Sequence, residues 1–534
     1  MATFLLLTAI VIFACVICKQ ISAKIGIPVL LAFILLGMFF GSDGVVKIPF
    51  DNFIFAEKIC SVALLFIIFY GGFGTNWKQA KSVAVKAIVL SSLGTVITAI
   101  LVGLFCYYIL NFALLESFLI GAVISSTDAA SVFSILRSRH LNLRYNTASL
   151  LEIESGSNDP FSYMLTVIVL ALMNGGTSTG EFISMVFSQI IFGLLFGFGI
   201  AALTLLFLRK MKISSAEYNA IFIVAIAITS YAIPTILGGN GYLSTYITGI
   251  ILGNSKIDYK LELVHFFDST TELMQMLLFF LLGLLAFPSQ LPGIALTSLF
   301  IALFLTFVAR PIAVFTLLTP FKSKFKQQLL VSWSGLRGAA SIVFSIMVMI
   351  NPVTTDHDIF HIVFFIVLFS ILFQGTLIPF ISNKLNMTDD ESNVMKTFND
   401  YIDEIPVQLL QFTLNPEHTW VGKTLCDIVL PPDSLVVLLI RGKERIIPDG
   451  TTVLCSSDTL ILSGEAINHT DNLKIFEKEI DKGDSWIGRA IADISLETDF
   501  ILLIKRSGET IIPKGITTIM EDDILVVTDK SNLL

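Results

Sequence analysis

The sequence predicts an all-α polytopic membrane domain of about thirteen spanning helices, followed by a smaller α+β tail in water. Three observations predict this. Of 534 residues, 54% are hydrophobic and 14% charged, against about 25% charged in ordinary soluble domains. The charges are unevenly shared: residues 1–384 hold 21 Lys or Arg and 16 Asp or Glu, whereas residues 385–534 hold 13 and 26. Runs of the ~20 apolar residues needed to cross a bilayer recur throughout the first part. Together these exclude a disordered, collagen-like or disulfide-scaffold protein and argue against a single soluble enzyme. The acidic excess of the tail argues against nucleic acid as a partner.

The candidate spans lie near 2–18, 26–41, 54–71, 84–110, 115–136, 148–173, 183–208, 218–236, 241–253, 265–287, 293–319, 328–350 and 358–383. The first has no basic segment ahead of it and no convincing cleavage site, so it reads as a span and not as a signal peptide. The loops supply a check on the count. Those after odd-numbered spans carry sixteen basic residues: Lys19 and Lys24; Lys78, Lys81 and Lys86; Arg137, Arg139 and Arg144; Arg209, Lys210 and Lys212; Lys256 and Lys260; Lys322, Lys324 and Lys326. Those after even-numbered spans carry Lys47 and Lys58. Basic loops stay in the cytoplasm, so the N-terminus is expected outside and the tail inside a multi-pass protein of the cytoplasmic membrane.

Charge inside hydrocarbon is costly and commonly functional. The fifth run contains Ser125-Ser126-Thr127-Asp128-Ala129-Ala130-Ser131. Such a stretch suits a polar helix–helix contact, or the ligands of a dehydrated alkali cation. The sixth contains Glu152-Ile153-Glu154-Ser155-Gly156-Ser157-Asn158-Asp159-Pro160. Glu154 and Asn158 share one helix face, Ser155 and Asp159 the next, and Pro160 loosens the turn before it. These carboxylates must face protein or water. The twelfth contains Gly335-Leu336-Arg337-Gly338. A buried Arg337 needs an anion, for which Glu154 is the candidate, or else backbone carbonyls. Arg310, before Pro311, is expected near a helix kink. Asp268 and Glu272 read as a solvated entry face. The six histidines are dispersed and form no zinc-ligand spacing.

At these residues the chain resembles the monovalent cation/proton antiporters of the CPA1 type, NhaP branch. The resemblance rests on Ser126-Thr127-Asp128, Glu154-x-x-x-Asn158-Asp159 and Gly335-Leu336-Arg337-Gly338-Ala339, and covers about residues 1–385. It implies two inverted repeats, a dimerising part and a mobile core, with spans five and twelve discontinuous at mid-membrane. It further implies that Asp159 exchanges proton for K+ or Na+. Asp128, Ser155 and the Thr127 backbone would complete the ion shell, and Glu154 would pair with Arg337. Asn158 stands where electrogenic relatives have a second aspartate, which implies electroneutral exchange. Ala129 and Pro160 depart from the usual proline and glycine. Elementary physics agrees: a carboxylate stripped of water must be covered by a proton or a cation, and competition plus alternating access suffices for exchange.

The tail repeats. Trp420-Val421-Gly422 matches Trp486-Ile487-Gly488; Ile446-Ile447-Pro448-Asp449-Gly450 matches Ile511-Ile512-Pro513-Lys514-Gly515; and Asp458-Thr459-Leu460 matches Asp523-Ile524-Leu525. Each unit, 410–466 and 476–532, resembles the RCK C-terminal (TrkA-C) domain, with 386–409 as linker. That family implies a homodimer and a small regulatory ligand at its interface, such as a cyclic di-AMP type nucleotide; a purely structural tail is the alternative. The leading function is regulated K+/H+ antiport, with Na+/H+ also open. The alternative is an RCK-gated potassium channel, which would need a carbonyl filter such as T-V-G-Y-G, and none is present.

Overall fold

The computed structural model describes Ala2–Thr388 apart from 26–27, 129–130, 133–142, 176–177 and 212–214. In the tail it describes 407–529 apart from 417, 429, 431–433, 443, 466–474, 481–485, 492–498, 507–508, 512, 514 and 522. The second half of the fifth predicted run and most of the expected linker fall outside the described residues. The chain divides into two compact units, Met1–Ile402 and Asp403–Leu534.

The first unit is helical: α1 (Ala2–Ile25), α2 (Val29–Phe40), α3 (Phe53–Gly74), α4 (Ala84–Tyr108), α5 (Leu114–Val123), α6 (Thr147–Met173) and α7 (Thr179–Lys210). There follow α8 (Ala216–Ile236), α9 (Gly241–Gly253), α10 (Lys260–Leu285), α11 (Pro288–Leu318), α12 (Phe325–Trp333), α13 (Ala339–Ile350) and α14 (Ile359–Lys384). Among the described residues seven helices are long and apolar enough to cross a membrane: α3, α4, α7, α8, α10, α11 and α14. Shorter apolar helices lie in α1, α2, α5 and α13. Side-chain caps fix several starts. Asn52 accepts from the Phe55 amide, Ser178 and Glu181 form a reciprocal capping box, and Asn240 accepts from the Leu243 amide.

The helices pack in two groups. In one, α2 and α3 lie against α10, α3 against α9, and α8 against α9 and α10. A side chain at Gly249 or Gly253 would strike the carbonyls of Phe69 and Phe73, so only bare backbone lets α9 approach α3 this closely. In the other group α5 lies against α4 and α6, and α14 against α11 and α13. The groups meet where α6 faces α9 and α13 faces α3. Three helices carry a widened π-type turn: Leu90–Gly94 in α4, Leu305–Ala309 in α11 and Ser370–Gly375 in α14. Such turns recur at functional sites.

Two stretches interrupt the helical pattern. After α5 the chain leaves helix at Ile124 and stays irregular to Asp128; between α12 and α13 it is irregular from 335 to 338. The twelfth predicted run is therefore two short helices. Its polar, Gly-rich centre frees backbone groups that must find other partners.

The tail holds two antiparallel sheets. Strands β1 (Val407–Thr413), β2 (Leu435–Arg441), β3 (Glu444–Ile446) and β4 (Thr459–Glu465) run in the order β1-β4-β2-β3. Strands β5 (Ile475–Glu479), β6 (Asp499–Arg506), β7 (Glu509–Ile511) and β8 (Ile524–Asp529) run β5-β8-β6-β7. Even the irregularities match: a register shift falls between Val436 and Leu438, and again between Ile501 and Leu503. Gly422 and Gly488, the glycines of the repeated Trp-x-Gly, take φ of 84° and 77°, which disfavours any side chain there. In each sheet an arginine grips a fully buried aspartate through two bonds: Arg441 to Asp458 at 2.8 Å each, and Arg506 to Asp523 at 2.7 Å each. The guanidinium bonds hold both carboxyls below the usual carboxylate range.

Candidate ion-binding site at two broken helices

The two interruptions cross. The Asp128 amide donates to the Leu336 carbonyl at 2.8 Å, joining one broken segment to the other. Each exposed helix end then meets an opposite charge. Nη1 of Arg337 donates to the carbonyls of Ser125, at 2.8 Å, and Ser126, covering the negative end of α5. The Asp128 carboxylate lies against Gly338, the residue before α13, so it sits at the positive end of that helix. A methyl group at Gly338 would overlap that carboxylate, which is why bare backbone is needed there. Asp128 also accepts from Ser131, from the hydroxyl at 2.6 Å and the amide at 3.3 Å.

Helix α6 runs alongside this crossing. Ser126 Oγ donates to Asp159 Oδ1, Ser155 Oγ donates to the Thr127 carbonyl at 2.6 Å, and Ser162 Oγ donates to the Ala122 carbonyl at 2.7 Å. Asn158 Nδ2 donates to Thr127 Oγ1 and, at 3.2 Å, to Glu154 Oε1. Its Oδ1 is buried without a hydrogen-bond partner among the described residues. Thus the structure brings together Thr127, Asp128, Glu154, Ser155, Asn158, Asp159 and Arg337, drawn from three separate stretches of chain. Burial is nearly complete at Glu154, Asn158 and Arg337, while Asp159 and Asp128 keep partial exposure. An unpartnered amide oxygen, a carboxylate with one donor and nearby hydroxyls can replace the hydration shell of an alkali ion. Among the described residues no group of three His, Cys, Asp or Glu is arranged to hold a resident metal.

One expectation is corrected. Glu154 pairs not with Arg337 but with Arg310 of α11, whose Nη2 donates to Glu154 Oε2 at 3.0 Å. Arg337 takes the backbone carbonyls instead. The reason is placement: α5 ends in freed carbonyls beside Arg337, and Arg310, directly after the widened turn of α11, reaches across Gly335 toward α6. A side chain at Gly335 would crowd Arg310. The signal available in sequence was an arginine in an otherwise apolar run, facing a glycine-bearing break. Asp268 and Glu272 have protein partners: the Tyr70 hydroxyl donates to Asp268 at 3.0 Å, and Lys19 pairs with Glu272.

Comparison with known proteins bears on this geometry. The family model "Sodium/hydrogen exchanger, transmembrane" matches residues 9–384, and the TrkA-C domain model matches 409–468. The K(+)/H(+) antiporter NhaP of Alkalimonas amylolytica is 34% identical over 453 residues, 84% of this chain and 78% of the relative. The K(+)/H(+) antiporter NhaP2 of Shewanella oneidensis is 30% identical over 505 residues, 93% of this chain and 87% of the relative. Among solved structures, the sodium proton antiporter MjNhaP1 from Methanocaldococcus jannaschii shares the fold at a TM-score of 0.63 and 23% identity, over 72% of this chain and 99% of that one. With its matched helical unit, its crossed broken helices and these relatives, the chain belongs to the sodium/hydrogen exchanger family, as a multi-pass membrane antiporter carrying a C-terminal TrkA-C domain.

Proposed function

We propose that this protein exchanges K+ for H+ across the cytoplasmic membrane, with Asp159 as the group that binds either ion in turn. The observation that carries this reading is Asp159 itself: a carboxylate on α6, held among the described residues by a single hydroxyl donor at the crossing of two broken helices. Bare, it is too costly to carry through a dry barrier. Covered by H+ or by K+, it bears the same net charge. A site that turns over only when covered therefore exchanges one ion for the other without moving net charge. Asn158, neutral at the neighbouring position, supports that electroneutral stoichiometry. Asp128, Thr127, Ser155 and Asn158 act as further ligands or as supports of the ligand cage. K+ is favoured by the names of the relatives and by the TrkA-C unit; Na+ is the alternative cation.

In this reading the membrane part, residues 1–385, comprises thirteen spans in two inverted repeats, with the α5 and α12–α13 breaks as the repeated element. The N-terminus lies outside and the tail in the cytoplasm, as the basic loops require. The chain works as a homodimer in lipid and needs no catalytic group. The tail, linked through 386–409, is two TrkA-C units, 410–466 and 476–532. The second is supported by its repeated strand order and repeated Arg–Asp grip. A cyclic di-AMP type nucleotide is its proposed regulator. The test is exchange in proteoliposomes, with K+ and Na+ compared at several pH values. Asp159→Asn should abolish cation-driven proton movement in a protein that still inserts and folds; retained exchange would remove Asp159 from its role.

A further inference from the structure

Glu57 is a carboxylate within α3 that the exchange chemistry above does not use. It stands five residues past the Asn52 cap, and no cation pairs with it among the described residues; Lys58, its neighbour in sequence, points out to the exposed surface. Its hydrogen-bond donor is Ser61 Oγ at 2.9 Å. Three tyrosines come from helices packed against α3: Tyr242 on α9, Tyr231 on α8 and Tyr163 on α6. The ring of Tyr242 lies edge-on to Tyr163 at 5.1 Å and beside Tyr231 at 4.9 Å. Phe344 closes the cluster, 5.7 Å from Tyr163. Tyr163 is four residues after Asp159, one helical turn along the same face of α6.

These residues come from α3, α8 and α9 on one side and α6 and α13 on the other, so the cluster lies on the seam between the two helix groups. A carboxylate with unfilled lone pairs, hydroxyls and the negative faces of aromatic rings together favour a partly dehydrated monovalent cation. The cluster is near the end of α3 that follows an even-numbered span, the face opposite the basic loops.

We propose that Glu57, Ser61 and the Tyr163–Tyr231–Tyr242 cluster form an outer waiting site for the monovalent cation, one turn from Asp159. The proposal rests on Asp159 being the exchange site. It differs from a structural role for the tyrosines in predicting an effect on one face only.

The test uses the full chain in oriented proteoliposomes, with K+ supplied from either face at several pH values. Glu57→Gln should raise the half-saturating K+ by about tenfold from the outer face, the equivalent of one lost charge interaction. Glu57→Asp should restore most of it. Unchanged half-saturation in Glu57→Gln would overturn the outer site. An equal shift from both faces would overturn it too. Tyr242→Phe, which keeps the ring and removes the hydroxyl, should shift the outer half-saturation in the same direction should Glu57→Gln fold poorly; no shift would again overturn the proposal. Absence of exchange in the unaltered protein would instead sink the reading of Asp159.

Discussion

Two kinds of carboxylate stand in one chain. In the tail, Asp458 and Asp523 are fully satisfied: each takes two guanidinium N–H bonds and a backbone amide, from Cys455 or Met520, on the same oxygen pair. In the helical unit, among the described residues, Asp159 takes one hydroxyl donor, and the amide oxygen of Asn158 beside it takes none. The difference teaches how to tell support from site. A carboxylate whose lone pairs are filled by fixed donors has no capacity left for cargo, and its removal weakens a fold. A carboxylate left underfilled in a dry place is waiting for something that comes and goes. Glu154 is intermediate: it is buried and paired with Arg310, yet hydrogen-bonded to Asn158 and Thr127 within the site.

The largest expected effects break this comparison directly if it is false. Asp159→Asn should lose all exchange yet leave thermal stability close to the unaltered protein, because asparagine keeps an acceptor oxygen for the one hydroxyl donor found among the described residues. Asp458→Asn should do the opposite. A stability loss in Asp159→Asn as large as in Asp458→Asn would erase the distinction.

Next in size is the ion pair. Removing one partner from a buried pair strands the other charge, at a cost of about 3–5 kcal/mol. Arg310→Met should therefore lower the melting temperature of the detergent-solubilised protein sharply, and adding Glu154→Gln should restore much of it. Arg337→Met should not be rescued by Glu154→Gln, because Arg337 serves the carbonyls of Ser125 and Ser126. Rescue of the second and not the first would reverse the assignment of partners.

That assignment marks where the sequence stops being legible. The polar residues of the fifth, sixth and twelfth runs declare themselves, because serine, aspartate and arginine in an apolar run need a reason to be there. Breaks are legible too, since Thr127-Asp128 and Gly335-x-x-Gly338 are poor helix interiors. Which arginine meets Glu154 is not, because Arg310 and Arg337 are both buried and the choice depends on how α11 lies across Gly335. Glu57 is hidden for another reason: a single carboxylate near the end of a long apolar run reads as a boundary residue until the tyrosines of three helices packed against α3 are in place. In the tail the repeat itself is readable, and Arg441 with Asp458 recurs as Arg506 with Asp523. Only the sheet order reveals that each arginine reaches across from β2 or β6 to the turn before the last strand.

The tail pairs carry the smaller effects. Asp458→Asn and Asp523→Asn should each destabilise their own sheet by about 2 kcal/mol, the usual cost of a lost charge-assisted bond. Hydrogen exchange at β2 and β4, or at β6 and β8, would register it separately. Exchange of ions at saturation should persist in both.

The smallest effect is on pH, and its sign follows from the direction of the shifts. Asp458 and Asp523 are held below the usual carboxylate range by their arginines, so the folded tail binds a proton less readily than the unfolded chain. The stabilisation is then complete above the unfolded value of about 3.9 and is lost as pH falls through the lower folded value. Hydrogen-exchange protection of the two sheets should be flat from neutral pH down to about 5 and fall only in stronger acid. Asp458→Asn should abolish that acid step in the first sheet and leave it in the second. An acid step that survives in the first sheet would mean that some other group titrates there, and the Arg441–Asp458 grip would lose its place as the counterpart of Asp159.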